Sequence, residues 1–284
     1  MSGRSSRRQR RPPVRHSVPA RRPGPAAAGG GRGPAGAGPA RAGELPASPL
    51  FQALLSQPVE NAPLWAAVAV LHTELAGYPA NICVTAGQLL VRTLGHLGFD
   101  AELMAACATV YRREDTSTKH ADIGRWDRPP TVRPDGSTDG HAVVWAGAFG
   151  RLVDATVAQD PTLAAAGAAD ETMTRPVIIP VGDRDQLLAG THAAPRGPYL
   201  ISWMLFPEWT SAFDPLITRG RALNDYAALQ LTDRAVHALR RATELRGELR
   251  ALHSLYPRLG ALLSGRAALP SMDPPPGAAP LGHP

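Results

Sequence analysis

HAVVWAGAFGRLVDATV, residues 141–157, decides the fold. Two runs rich in Val, Trp, Leu and Thr flank AGAFG, a short Gly- and Ala-rich connection, so the stretch reads as a β-hairpin and calls for an antiparallel sheet. With the turn centred between Gly147 and Ala148, residues whose numbers sum to 295 face each other, and His141 stands opposite Asp154. Directly paired residues share a face with Cβ atoms about 5 Å apart. A carboxylate at that distance can hold one imidazole nitrogen and leave the other free.

Upstream lies PANICVTAGQLLVRTLGHLGFDAEL, residues 79–103. Its apolar spacing predicts a helix from Cys83 to Leu97, with Leu89, Leu90, Leu94 and Leu97 inward and LGFD as its exit. Cys83 opens that helix, where unpaired N–H groups and the helix dipole favour a thiolate. A thiolate nucleophile also needs an imidazole, and the imidazole needs a third group to orient it. His141 and Asp154 supply both in the order that a thiol triad on an antiparallel sheet requires. Taken singly, each residue has a plainer reading: a small buried side chain for Cys83, a loop contact for His141, a turn acceptor for Asp154. Their joint placement favours chemistry. Cys107, inside an apolar strand, reads as core packing.

The remaining elements follow from the same patterns. SPLFQALLSQ (48–57) and NAPLWAAVAVLHTELAG (61–77) are helices, the second opened by Asn61 and closed by Gly77. AELMAACATVYRR (101–113), RPVIIPVG (175–182) and PYLISWMLF (198–206) are strands, and 222–256 is a long amphipathic helix. Residues 112–140 are polar and full of turn formers, so they read as one long surface loop, in which Trp126 either covers a substrate or anchors the loop. The fold class is therefore α+β: N-terminal helices packed on an antiparallel sheet, with a long C-terminal helix. One domain is expected over 45–265, between a disordered Arg/Pro/Gly-rich tail (1–44) and a Pro-rich tail (266–284).

The formal charge of +6 points to nucleic acid until its location is considered, because residues 1–43 hold ten arginines and no acid, leaving the remainder at −4. A nucleic-acid role is thus confined to the N-terminal tail. Two cysteines make no disulfide framework, which favours a reducing compartment and cytoplasmic localisation. No run approaches a membrane span, and no apolar segment follows the first arginines as a secretion signal requires. His120, Asp122, Asp139 and His141 lack the spacing of a metal site, and His192 reads as a surface-loop residue. No phosphate loop and no serine elbow occur. No cofactor and no metal are expected.

The combination of a Cys opening a helix that ends in LG, a strand, a variable insertion, HAVVW and then GRLVDAT resembles the transglutaminase-like branch of the papain-like cysteine enzymes. The architecture of the arylamine N-acetyltransferases is similar. The resemblance covers about residues 60–160. It implies that Cys83 is nucleophile, that His141 is general base and then acid, that Asp154 orients it, and that the Cys83 N–H joins an oxyanion hole. ANIC stands where transglutaminases carry Gln-Cys-Trp and the acetyltransferases an Arg-Gly-Gly approach, and Ala155 replaces a usual proline. Asn81 either donates to an oxyanion or serves as a cap. The implied function is thiol-dependent acyl transfer or amide hydrolysis on an amide- or thioester-containing substrate, such as a protein side chain or peptide. The alternative is a catalytically silent papain-like domain that binds a peptide or protein partner.

Overall fold

The computed structural model describes residues 49–75, 82–160, 163 and 175–278, all within the compact unit Arg41–Pro284. The expected tail 1–44, the end 279–284 and Gly77 lie outside the described residues. Residues 266–278 contain neither helix nor strand.

Helices α1 (Pro49–Ser56), α2 (Ala62–Leu75) and α3 (Cys83–Leu97) come first. A 3-10 turn over Val59–Asn61 leads into α2. The α3 helix has the expected bounds and stops at Gly98, whose φ of 97° is left-handed and costs glycine little. Seven strands follow: β1 (Glu102–Arg112), β2 (Asp115–Gly124), β3 (His141–Ala146), β4 (Arg151–Asp154), β5 (Val177–Pro180), β6 (His192–Arg196) and β7 (Tyr199–Phe206). A short helix, α4 (Arg184–Leu188), separates β5 from β6. The long helix α5 (Asp214–Leu245) and two short ones, α6 (Leu252–Leu255) and α7 (Pro257–Leu263), complete the described chain.

All pairings are antiparallel, in the order β5-β4-β3-β1-β7-β6 with β2 added to β1. β1 is the axis. One of its edges is shared in succession by β3, from Glu102 to Ala106, and by β2, from Cys107 to Arg112. Its other edge carries β7. Alternation then sorts the side chains. Leu103, Ala105, Ala142, Val144 and Val153 face the helices. Met104, Ala106, Val143, Trp145, Leu152 and Trp203 face the other way, beneath Val157, Leu163 and Leu187. The α3 helix lies so close to the sheet that a Cβ on Gly87 would stand 2.3 Å from Leu103 Cδ1. The α5 helix buries Ala235, Leu239 and Ala242 in the same core, and ion pairs Arg234–Glu74 and Arg92–Asp225 tie it to α2 and α3.

Three expectations need correction. Residues 112–140 are not one loop, because β2 occupies 115–124; polar and largely exposed, it shows no apolar alternation to reveal it. His192 begins β6, with Nε2 2.8 Å from the Leu187 carbonyl oxygen. The long helix spans 214–245, not 222–256: Pro215 opens it, and after extended Arg246 the apolar pattern continues on a 3-10 turn at 247–251. The Arg246 guanidinium caps the carbonyls of Leu55 and Gln57 beside α1. No described helix is long and apolar enough to cross a membrane.

Leu90 on α3 has no exposed surface. Leu90→Ala is expected to cost about 2–5 kcal/mol, read as a lower urea midpoint with an unchanged slope.

Candidate functional site

The connection between β3 and β4 is a 3-10 turn, Gly147–Phe149, closed by left-handed Gly150 at φ 58°. It moves the hairpin centre by one residue, so Val144 pairs with Val153, Trp145 with Leu152 and Ala146 with Arg151. His141 and Asp154 are therefore diagonal neighbours, not the directly opposed pair expected from a centre at 147/148. An offset of two preserves the face, and diagonal positions remain within reach of long side chains. His141 Nε2 lies 2.6 Å from Asp154 Oδ2.

Both groups are buried, at 3% and 2% exposure, and a buried charge must be compensated on the spot. Asp154 meets that demand with four donors. Oδ2 accepts from His141 and from the Trp203 indole Nε1–H at 2.8 Å. Oδ1 accepts the backbone N–H groups of Thr156 (3.1 Å) and Val157 (2.9 Å), where the chain turns into a 3-10 helix. Burial opposes the charge on Asp154, yet His141, the indole and the Thr156 N–H outweigh it and hold the carboxyl below its ordinary range. Burial likewise opposes charging His141, but the Asp154 carboxylate, aided by Cys83, pushes it up to about 10. The pair is an imidazolium facing a carboxylate.

Asp154 takes Nε2, so Nδ1 is left to meet Cys83, which hydrogen-bonds the imidazole. Cys83 is the first residue of α3, with Sγ 3.8 Å from the Gly140 carbonyl oxygen. As an opening residue its backbone N–H has no partner within the helix. The three side chains meet where β1 changes edge partners, from His141 of β3 opposite Ala106 to Gly124 of β2 opposite Cys107. Gly124 is required there: its φ is 89°, and a Cβ would fall 2.7 Å from His141 Cβ.

A cavity of about 220 Å³ opens at this junction, lined among others by Cys83, His141, Asp122, Asp139, Gln159 and Asp160. Asp122 is held by the Thr109 hydroxyl (3.0 Å) and Lys119 (2.5 Å). Asp139 is held by Arg128 (3.0 Å) and the Thr131 N–H (2.7 Å). Trp126 is 59% exposed and does not line the cavity. Asn81 lies outside the described residues. Of the residues considered for a metal, His120 stacks on Tyr199, and among the described residues no three His, Cys, Asp or Glu side chains gather as a metal would need. Cys107 is buried in β1, and burial with the nearby Asp122 charge pushes its thiol up to about 11. Sequence reasoning missed Trp203, Gln159 and the Thr156–Val157 amides. Only Trp203 carried a signal, since a buried indole needs an acceptor for its N–H.

Two outcomes follow from this geometry. Gly124→Ala is expected to lower stability by about 1–3 kcal/mol, seen as a reduced urea midpoint. The second concerns pH. His141 is raised in the folded chain, so its contribution is complete below its unfolded value near 6.5 and fades toward about 10; across that window the folded state holds the extra proton. Stability falls there with rising pH, by up to about 1.4 kcal/mol per unit. Asp154, being lowered, contributes above its unfolded value near 3.8 and loses that contribution as pH falls further. Other charges acting at the pair are Cys83 from α3 and Arg196 from β6. The difference in unfolding free energy between the wild-type chain and His141→Gln should therefore shrink between pH 7 and 10.

No family model matches the chain, and no curated protein and no solved structure matches it.

Proposed function

We propose that the protein is a cysteine-dependent enzyme of acyl transfer or amide hydrolysis, of transglutaminase-like or papain-like type. The observation that supports it best is the convergence of Cys83, His141 and Asp154 from a helix start and two adjacent strands, with Cys83 and His141 on the wall of one cavity and Asp154 buried behind the imidazole. Each atom has a role in this reading. The thiol proton already rests on His141 Nδ1, so the sulfur attacks as a thiolate beside an imidazolium, while Asp154 Oδ2 fixes the ring through Nε2. The Cys83 sulfur bonds the carbonyl carbon of an amide or thioester, and the carbonyl π electrons move to oxygen, beside the Cys83 backbone N–H. As the tetrahedral species collapses, the bond to the leaving amine or thiol breaks and His141 returns the proton to it. Water or an amine then attacks the thioester, losing its proton to His141, and Cys83 is released.

Cys107 does not confuse the test, because its buried thiol is held in its unreactive form at neutral pH. The experiment is the iodoacetamide alkylation rate of Cys83 at pH 7 in chains carrying Cys107→Ala, with and without His141→Ala. The expected result is a rate well above that of an unstructured cysteine peptide, falling about tenfold or more without the imidazole. A slow rate indifferent to His141 would overturn the proposal and leave the silent, partner-binding domain in its place.

A further inference from the structure

We infer that Trp203 is a positioning residue for the His141–Asp154 pair, setting through one indole N–H both the orientation of the carboxylate and how strongly it binds the imidazole. The inference rests on the proposed function for its purpose, but its evidence is separate. Trp203 sits on β7, two strands from β3 across the β1 axis, and its ring has no exposed surface. It shares the face of the sheet turned away from the helices with Val143, Trp145 and Leu152, and His141 and Asp154 have the same parity. Nε1 reaches Asp154 Oδ2 at 2.8 Å, on the same oxygen that His141 approaches at 2.6 Å.

Two donors on one carboxylate oxygen have two effects. With Oδ1 fixed by the Thr156 and Val157 amides, the indole leaves the carboxylate no free rotation, so Oδ2 stays aimed at Nε2 and Nδ1 stays aimed at Cys83. The indole also draws on the charge of Oδ2, leaving less of it to hold the imidazolium proton. A His141 bound too tightly to that proton would be a poor acid when a leaving group needs it. An indole donor thus moderates the pair while fixing its geometry. Asp154 and Cys83 face His141 directly. The Arg196 guanidinium acts on Asp154 from β6, and Asp122, Asp139 and Asp160 line the adjoining cavity.

The test uses the full chain labelled with ¹⁵N-histidine and carrying Cys83→Ser, so that no thiol titrates beside the ring. His141 is titrated by NMR with tryptophan, phenylalanine or benzothienylalanine at position 203, the last keeping the bicyclic shape with sulfur in place of N–H. The expected result is a His141 titration shifted upward by about one pH unit in both replacements, with the other histidines unmoved. A packing role would leave the benzothienylalanine chain identical to wild type. Should Trp203→Phe fail to fold, the benzothienylalanine chain alone decides. A titration that stays in place or moves down overturns the inference. Failure of the proposed function is read separately, as Cys83 alkylation that ignores His141→Ala.

Discussion

A carboxylate with almost no exposed surface organises this protein. Removing the Asp154 charge from water carries a heavy penalty unless every lone pair finds a donor. The four donors come from three places in the chain: the strand before it, the turn immediately after it and a strand almost fifty residues later. Satisfying that one group therefore fixes the relation of β3, β4 and β7 to one another. It also determines the state of His141, since an imidazolium is the natural partner for a charge that cannot reach solvent.

The position of the cavity has an architectural cause. An edge of a strand can pair with only one neighbour at a time, and β1 passes from β3 to β2 between Ala106 and Cys107. Sheet continuity is broken at that point, and the segment 125–140 that joins the two neighbours leaves and re-enters there. The start of α3 fills part of the break with Cys83, and the rest is the cavity. Gly124, on one lip, has no side chain to close it, and Gly140, on the other, brings its carbonyl toward the sulfur. A thiol from the helical layer can thus meet an imidazole that faces the opposite side of the sheet.

Local patterns made much of this legible in the residues. The α3 boundaries, the β3–β4 hairpin and the two late strands follow from apolar spacing and turn formers. The shared face of His141 and Asp154 survived an error of register because the shift was two residues, and side-chain direction in a strand repeats every two. What escaped notice depends on distant partners. β2 is polar because it lies at an exposed edge, so nothing in its own composition distinguishes it from a loop. The length of the β3–β4 turn depended on Gly150 adopting a left-handed conformation. Trp203 announced a need for an acceptor, but which acceptor is a matter of sheet order, and sheet order is written in long-range contacts.

That sheet order also orders the events of folding. Helices α1–α3 and strands β1–β4 all lie before residue 155, whereas β7 pairs Ala105 with Phe206, closing a loop of roughly a hundred residues. Closing long loops is entropically costly and slow relative to forming a hairpin. During synthesis the cysteine, histidine and aspartate leave the ribosome well before the indole that completes the set. The Asp154 carboxylate therefore lacks its indole donor until β7 emerges, and the seating of β7 both extends the sheet and completes the polar network beside the thiol.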